Sequence, residues 1–207
     1  MEVYQVRRIK AKEAHPWILK KHYAHRVPSI SGAFGLFSNK ELRGICTFGK
    51  PVSNELCFGV CGDEYKDRVF ELNRLVIEET MRNVGSFFVA KSLSYFMRVL
   101  PRIIVSYADT GQNHIGYIYQ ATNFIFTGTT ALRTEMDPGN GRHSRHADDT
   151  TKRKIRTPKH RYVWFGGKKK QVKDMLSALK YPILPYPKGD TQRYDASAKV
   201  ETQQLLF

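Results

Sequence analysis

The chain has 207 residues, 41% of them apolar, and 34 Lys and Arg against 19 Asp and Glu give a net charge of +15. This length predicts one core, and no stretch reaches the roughly eighteen apolar residues of a membrane span. The three cysteines, Cys46, Cys57 and Cys61, exclude a disulfide framework and are interpreted as buried thiols on strands. A cytoplasmic protein without a membrane partner is expected.

The first third of the chain predicts a strand, a helix and a hairpin. Residues 2–9 alternate between apolar and polar, as in a strand, and residues 12–23 have apolar side chains at helical spacing. Residues 31–38 and 42–49 are two runs of β-forming residues separated by a polar turn, which predicts an antiparallel hairpin. Residues 51–63 are predicted to be irregular.

A cluster of His22, Tyr23 and His25 follows the first predicted helix. Two histidines and a tyrosine within four residues either form part of a site or serve as surface and packing residues. The sequence leaves both interpretations open.

The central stretch, residues 71–97, predicts a strand, a polar turn and a helix. Apolar residues alternate from 72 to 77, with Arg74 on the same face as Leu72, which predicts a strand covered on both faces. The turn contains Gly85 and precedes a helix rich in Phe and Leu. A helix start can bind a phosphate through its unpaired N–H groups, or the turn is an ordinary one.

The second half continues the α/β pattern. Residues 102–107 predict another central strand, which carries Asp109 at its C-terminal end, where ligands bind in open α/β sheets. The later predictions are a short helix entering a strand at 113–127, a mobile arm at about 128–161, a strand at 162–165, a basic helix at 168–179 and an extended tail from 181.

Positive charge is concentrated in the arm and its surroundings. Between residues 142 and 173, twelve Lys and Arg stand against two Asp, which accounts for ten of the fifteen net charges. Such a concentration is either a solvated surface or a nucleic-acid contact, and the latter explains its size better. The predicted DNA-binding residues are Arg142, Arg145, Lys152, Arg153, Lys154, Arg156, Lys159 and Arg161.

The order of these elements resembles the GCN5-related acyltransferase (GNAT) fold. That resemblance implies a mixed, mostly antiparallel central sheet flanked by helices, with the basic arm added to it. In this family, a turn of the pattern Arg or Gln, two residues, Gly, one residue, Gly or Ala binds the pyrophosphate of an acyl-coenzyme A. The matching turn departs from the pattern at Phe87, and the implied donor-binding residues are Arg82, Asn83, Val84, Gly85, Ser86 and Asn113.

The chain more specifically resembles the phage Mom-type proteins over roughly residues 20–165. The resemblance depends on the segments 22–23, 72–75, 83–86, 107–109, 113–124 and 159–162. It implies an enzyme that adds a methylcarbamoyl-type group to the N6 amine of adenine in duplex DNA, in the cytoplasm of the host, as a protection against restriction. The implied catalytic residues are His22, Tyr23, Arg74, Ser86, Asp109 and Tyr119, and bound iron is implied. The residue types His22, Tyr23, His25 and Asp109 suit a nitrogen and oxygen site if the end of the first helix packs near the end of the second central strand, and His22, Tyr23 and Asp109 are its predicted ligands.

The residue types allow specific chemical roles. Asp109 suits a base or an orienter of a base, and Tyr119 suits an acid for the leaving group. Ser86 is either a phosphate ligand or a transient acyl acceptor. Arg74 requires a partner if it is buried, namely Asp109, Glu78 or a ligand anion.

The functional predictions are therefore ordered. The first is a DNA-modifying transferase on a domain of residues 1–180, with residues 181–207 as a tail. Its donor is acyl-coenzyme A or an aminoacyl-tRNA, so that tRNA is a further partner, and a homodimer is a further expectation. The alternatives are a non-catalytic basic nucleic-acid-binding module and an acetyl-coenzyme A-dependent N-acetyltransferase of proteins or small molecules.

Overall fold

A computed structural model describes residues 4–78, 83–136 and 153–189, and these form a seven-stranded mixed sheet with helices on both faces. A separate two-stranded ribbon projects from it. The strands are β1 Tyr4–Ile9, β2 Gly32–Ser38, β3 Glu41–Gly49, β4 Val69–Ile77, β5 Arg102–Asp109, β6 Ile125–Thr129, β7 Arg133–Met136, β8 Arg153–Arg156 and β9 Lys159–Gly166. The α-helices are α1 Ala11–Lys21, α2 Asn54–Cys61, α3 Val84–Phe96, α4 Tyr117–Ala121 and α5 Lys169–Ser177.

The main sheet has the strand order β1-β2-β3-β4-β5-β9-β6. Every neighbouring pair is antiparallel except β4 and β5, which are parallel. Short turns can join antiparallel neighbours, and the predicted hairpin of β2 and β3 turns through Asn39 and Lys40, both at positive φ. The predicted mixed, mostly antiparallel sheet is therefore confirmed.

Two apolar layers cover the sheet. On one face, α3 packs through Phe88 and Leu93 onto Phe34, Phe48 and Ile104. On the other face, α1 packs through Ile18 on the β2–β3 side, and α2 and α5 cover the β5–β9 side. The sheet is buried on both faces, so its central strands have few exposed side chains.

Several sequence predictions differ from the structure. Residues 54–61 form α2, whose first turn is capped by the Ser53 hydroxyl accepting from the Leu56 N–H at 3.2 Å, so Cys57 and Cys61 lie on a helix and only Cys46 lies on a strand. The predicted mobile arm contains β7 and β8 as an ordered ribbon, and its residues 137–152 lie outside the described ranges.

The segment after α5 packs along β6. The Leu184 N–H donates to the Phe126 carbonyl at 3.0 Å, and the Tyr186 hydroxyl donates to the Phe124 carbonyl at 2.8 Å. These contacts do not test the predicted domain boundary at residue 181, which stays a prediction. None of the described helices is long and apolar enough to cross a membrane.

Candidate active site

The site begins where β4 and β5 separate. These strands pair at three positions only, and Glu71 opposite Val105 is the last. Beyond that point β4 pairs with β3 alone and β5 with β9 alone, while the Ser106 hydroxyl bridges the start of the gap by donating to the Leu72 carbonyl at 3.0 Å. The strands diverge into a wedge, and a cleft of about 1400 Å³ occupies it.

A bulge in β4 decides which side chains face the wedge. Leu72 pairs with Phe48 and Arg74 with the adjacent Thr47, so Asn73 is the extra residue. Leu72 belongs to the α3-side core, whereas Val76 packs against the α1-side core. The predicted placement of Arg74 on the face of Leu72 is wrong, because the extra residue reverses the alternation.

Glu71 is the residue that sequence reasoning missed. Through the bulge it lies on the same face as Arg74, at the apex of the wedge, and it lines the cleft. Burial raises the pKa of its carboxyl, against the opposing charges of Arg74, Lys159 and Arg156. Within residues 4–78, 83–136 and 153–189 this carboxylate has no hydrogen bond or ion pair, which suits a proton acceptor. An acidic residue within a central strand that is covered on both faces was the available signal.

Arg74 finds partners that the sequence did not predict. Its guanidinium donates to the Arg26 carbonyl from Nε at 3.2 Å and from Nη2 at 2.9 Å, and also to the Asn73 carbonyl. Glu78, an expected partner, forms an ion pair with Lys21 instead. Because carbonyl groups carry no net charge, the Arg74 charge remains available to an anionic ligand in the cleft.

His22 and Tyr23 follow α1 and line the cleft as a stacked pair, with ring centroids 4.5 Å apart. The Ala24 N–H donates to His22 Nδ1 at 3.0 Å, so the proton of the neutral ring is on Nε2. Burial, aided by the charge of Arg74, lowers the pKa of His22 to about 3. Burial raises the pKa of the Tyr23 hydroxyl. Both groups are therefore neutral hydrogen-bond donors at physiological pH.

Asp109 lies behind the cleft wall and does not line it. Its carboxylate, only 6% exposed, forms an ion pair with Lys159, accepts from the Thr157 hydroxyl and accepts from the Gly111 N–H at 3.0 Å. These three contacts occupy the carboxylate and keep it away from the cleft. Of the two predicted roles, base or orienter of a base, this geometry favours positioning.

The predicted iron ligands do not form a metal site in this arrangement. The Lys159 ammonium occupies a position beside Asp109, and the Nε2 proton of His22 occupies the nitrogen that a metal would need. No group of three or more His, Cys, Asp or Glu side chains in the described part of the chain is placed to hold a metal ion. The residues present do not fit iron.

The start of α3 opens into the cleft from the other face of the sheet. Asn83, at the N-cap with φ 67°, lines the cleft with Gly85 and Ser86, whereas Val84 is buried in the core and Arg82 lies outside the described residues. The Ser86 hydroxyl donates to the Asn83 carbonyl at 3.0 Å. The N–H of residue 87 donates to the Asn83 carbonyl at 3.0 Å, and the N–H groups before it have no partner within the described residues, which leave out 79–82. Such N–H groups at a helix start can bind a ligand.

Two features of this turn differ from expectation. A Cβ at Gly85 would lie 3.1 Å from Ile118 Cδ1, so the glycine allows close packing of α3 on α4, and a larger residue would require Ile118 to shift. Phe87, the departure from the family pattern, is 37% exposed and does not line the cleft. The departure therefore leaves the cleft side of the turn unchanged.

Tyr119 lines the cleft from α4, between the rings of Phe124 and Tyr162 at 5.3 and 5.4 Å. Its hydroxyl lies near Ser106, and burial raises its pKa. Tyr119 therefore keeps its proton at neutral pH. Asn113 lies at positive φ after a 3₁₀ turn and does not line the cleft.

The predicted DNA-binding residues divide into three groups. Arg142, Arg145 and Lys152 lie outside the described residues. Arg153 and Lys154 lie on the ribbon away from the cleft. Eight Lys and Arg side chains line the cleft. Four of them lie on the ribbon and on β9 and are called the rim cations: the predicted Arg156, Lys159 and Arg161, and Arg133, which the sequence did not single out. The other four are Lys21, Arg26, Lys50 and Arg74.

Comparison with solved structures agrees with this fold. Arabidopsis thaliana NAA60, solved in complex with acetyl-CoA, is 13% identical and aligns with a TM-score of 0.50 over 79% of this chain and 98% of that one. An acetyltransferase of the GNAT family from Streptococcus pneumoniae is 11% identical, with a TM-score of 0.49 over 79% of this chain and 100% of that one. The likeness to NAA60 confirms the predicted GNAT fold and, at this identity, nothing more.

Sequence relatives define the family. The methylcarbamoylase mom of Escherichia phage Mu is 29% identical over 116 residues, which are 54% of this chain and 48% of that protein, so the match spans about half of the relative. The Mom protein family matches residues 3–188, which is most of the chain. The chain therefore belongs to the Mom protein family.

Proposed function

We propose that the protein is a transferase that adds an acyl-derived, methylcarbamoyl-type group to the N6 amine of adenine in duplex DNA. The observation that carries this proposal is one cleft that passes through the β4–β5 wedge. It connects the open start of α3 on one face of the sheet with Glu71 and a cationic rim on the other. Membership in the Mom family, and the name of the phage Mu relative, support DNA modification as the use of this cleft.

The α3 side suits a phosphate-bearing donor, for which acyl-coenzyme A is the first choice. The free N–H groups at the start of α3 and its dipole favour an anion there. The acetyl-CoA complex of NAA60 is a property of that protein, but its fold is shared by this chain. Bound acyl-coenzyme A supplies an electrophilic carbon and a thiolate leaving group. The aminoacyl-tRNA, the tRNA partner and the homodimer gain no support from these findings.

The opposite side suits the nucleic acid. A base within a duplex must leave the stack before its amine can reach a cleft, which costs a few kcal/mol. Contacts between phosphates and Arg133, Arg156 and Arg161 at the rim offset this cost. The base then approaches the wedge from the side on which Glu71 lies.

The proton transfers follow from the side chains on either side of the wedge. As the new bond forms between N6 and the transferred carbon, the bond from that carbon to the leaving group breaks. Glu71 accepts the proton that N6 loses, and Tyr119 gives its proton to the leaving group. The Nε2–H of His22 donates a hydrogen bond to developing negative charge on oxygen, a role that its neutral form permits.

Mass analysis of nucleosides tests the proposal. The purified protein is incubated with plasmid DNA and an acyl-coenzyme A, and DNA from cells expressing the protein is digested in parallel. A new deoxyadenosine derivative of increased mass is expected in at least the cellular DNA. Unmodified DNA from cells with ample folded protein contradicts the proposal.

The same experiment separates the alternatives. A protein or small-molecule acetyltransferase releases coenzyme A without requiring DNA. A non-catalytic binding module retains DNA affinity in Glu71→Gln and Tyr119→Phe and yields no new nucleoside in any form.

A further inference from the structure

The ribbon of β7 and β8 places two like charges directly opposite each other. Its register pairs Arg133 with Arg156, and on the same face the next pair is Glu135 with Lys154. Glu135 and Lys154 form an ion pair at 3.8 Å. Directly opposite residues have Cβ atoms roughly 5 Å apart, where like charges are destabilising. One pair of the ribbon is thus matched in charge and the other is mismatched.

The mismatched pair lies at the cleft, whereas the matched pair does not. Arg133 and Arg156 both line the cleft, both are exposed, and neither has a hydrogen bond or ion pair within residues 4–78, 83–136 and 153–189. Two guanidinium groups held side by side at the rim of a cleft form a bidentate site for an oxyanion.

The base of the ribbon is fixed to the sheet. The Thr130 N–H donates to the Lys159 carbonyl at 2.9 Å, and the Lys159 N–H donates to the Thr130 hydroxyl at 2.9 Å. Thr157, next to Arg156, donates to the buried Asp109 carboxylate. The arginine pair is therefore positioned by hydrogen bonds immediately below it.

The other two rim cations are already engaged. Lys159 forms an ion pair with Asp109. Arg161 donates to the Thr127 hydroxyl and carbonyl at 2.9 and 3.0 Å, and its guanidinium lies 3.4 Å from the centroid of the Tyr181 ring. Among the four rim cations of the ribbon and β9, Arg133 and Arg156 are thus the charges most available to a ligand. The exposed Arg26, which follows α1, also lines the cleft.

We propose that Arg133 and Arg156 form a phosphate clamp that holds a phosphodiester group of the DNA strand beside the nucleotide presented to the wedge. This proposal rests on the proposed function. It assigns to Arg133 and Arg156 a contact with the DNA backbone, which does not depend on the base sequence. A nucleic-acid phosphate is favoured over a phosphate of the donor, because the α3 start, where the donor phosphates are expected, lies on the opposite face of the sheet.

The salt dependence of DNA affinity tests the clamp. Affinity for a fluorescent duplex is measured by anisotropy at several salt concentrations for the wild type, Arg133→Ala/Arg156→Ala and Arg8→Ala. Loss of two phosphate contacts lowers the slope of log affinity against log salt by about 1.8. Arg8, exposed on the opposite edge strand β1, controls for removal of a positive charge and is expected to change the slope little.

Two further measurements make the result decisive. Arg133→Lys/Arg156→Lys keeps the charge but loses the bidentate geometry, so we expect most of the slope to remain and the modification of DNA to fall. Coenzyme A affinity of the alanine variant identifies the source of the phosphate. Lost coenzyme A affinity with an unchanged DNA slope overturns the assignment to DNA.

The clamp and the proposed function fail in different ways. If the wild type modifies DNA but the double alanine variant has the slope of Arg8→Ala, the clamp is wrong and the function stands. If the wild type leaves DNA unmodified while the double variant loses slope, the function is wrong and the clamp belongs to a DNA-binding protein without this chemistry.

Discussion

The two faces of the sheet differ in polarity at the wedge, where β4 and β5 diverge. The α3 face is mostly apolar, and the polar groups that it presents to the cleft include the turn at the start of α3 and the Tyr119 hydroxyl. The opposite face is charged, with Glu71, Arg74, Lys159 and the ribbon arginines within one cleft. The same two strands thus present a mostly apolar surface to the donor and a charged surface to the nucleic acid.

The difference in polarity suits the apolar face to binding of the donor and the charged face to acceptance of a proton. An apolar wall with open N–H groups holds a ligand by shape and by its phosphate. A partly buried set of charges perturbs the pKa of a carboxyl, as it does for Glu71, and so provides a proton acceptor. The predictions below alter the charged face while leaving the apolar face intact.

The largest effect is expected for Glu71→Gln. Removing a general base lowers turnover by about 10²- to 10⁴-fold. DNA affinity and coenzyme A affinity should change little, since the amide keeps the shape of the carboxyl. Turnover of modified deoxyadenosine measures the effect, with Glu41→Gln, at the exposed start of β3 and outside the cleft, as a charge-matched control. Full activity in Glu71→Gln would exclude this residue as the base.

The pH dependence of the same variant has a defined sign. Because burial raises the Glu71 pKa, ionisation of this carboxyl in the folded state opposes folding. Glu71→Gln should therefore raise the free energy of unfolding at neutral pH, and the gain should disappear as the pH falls. Wild-type activity should rise with pH through the raised pKa, because the base must be ionised.

Asp109→Ala is expected to have the next largest effect. It leaves the Lys159 ammonium, whose side chain is 20% exposed, without its partner, and breaking such a pair costs about 3–5 kcal/mol. Urea unfolding measures this cost. Asp63→Ala breaks the exposed pair with Lys66, with side chains 75% and 37% exposed, and should cost less than about 1 kcal/mol.

The outcome of Asp109 substitution also distinguishes a catalytic role from a positioning role. A positioning role predicts that Asp109→Asn, which can still accept from Thr157, retains more activity than Asp109→Ala. Equal loss in both variants, with both proteins folded, would instead favour direct participation in the reaction.

The smallest predicted effect concerns His22. Its pKa falls from 6.5 to about 3 on folding, so the unfolded chain binds more protons between these pH values. The stability that comes from the neutral ring is complete above pH 6.5 and is lost as the pH falls. The free energy of unfolding should drop by about 2 kcal/mol more between pH 8 and pH 5 in the wild type than in His22→Gln. Equal slopes would mean that His22 is solvated.

The sequence predicted those elements whose signals are local. The hairpin of β2 and β3, the strand β5 and the helix α3 follow from apolar periodicity and turn residues, which depend on neighbouring positions only. The helix α2 was missed because its eight residues contain a glycine and two cysteines, although Ser53 provides a helix cap.

Long-range pairing accounts for what could not be predicted. The insertion of β9 between β5 and β6 brings Lys159 beside Asp109, fifty residues away in the chain. The ion pair that results favours a positioning role for Asp109. The bulge at Asn73 depends on the register with β3, and it brings Glu71 to the face of Arg74. The local pattern of residues indicates neither the insertion of β9 nor the bulge at Asn73.

The amino-acid sequence by itself determined the order of strands and helices, the excess of positive charge and the residues from which a family likeness could be read. Only the tertiary structure decided which carboxylate is free and which is engaged, and which arginines remain available at the cleft rim. The reason is physical: periodicity is a property of neighbouring residues, whereas burial, ion pairing and pKa depend on groups that folding brings together from distant parts of the chain.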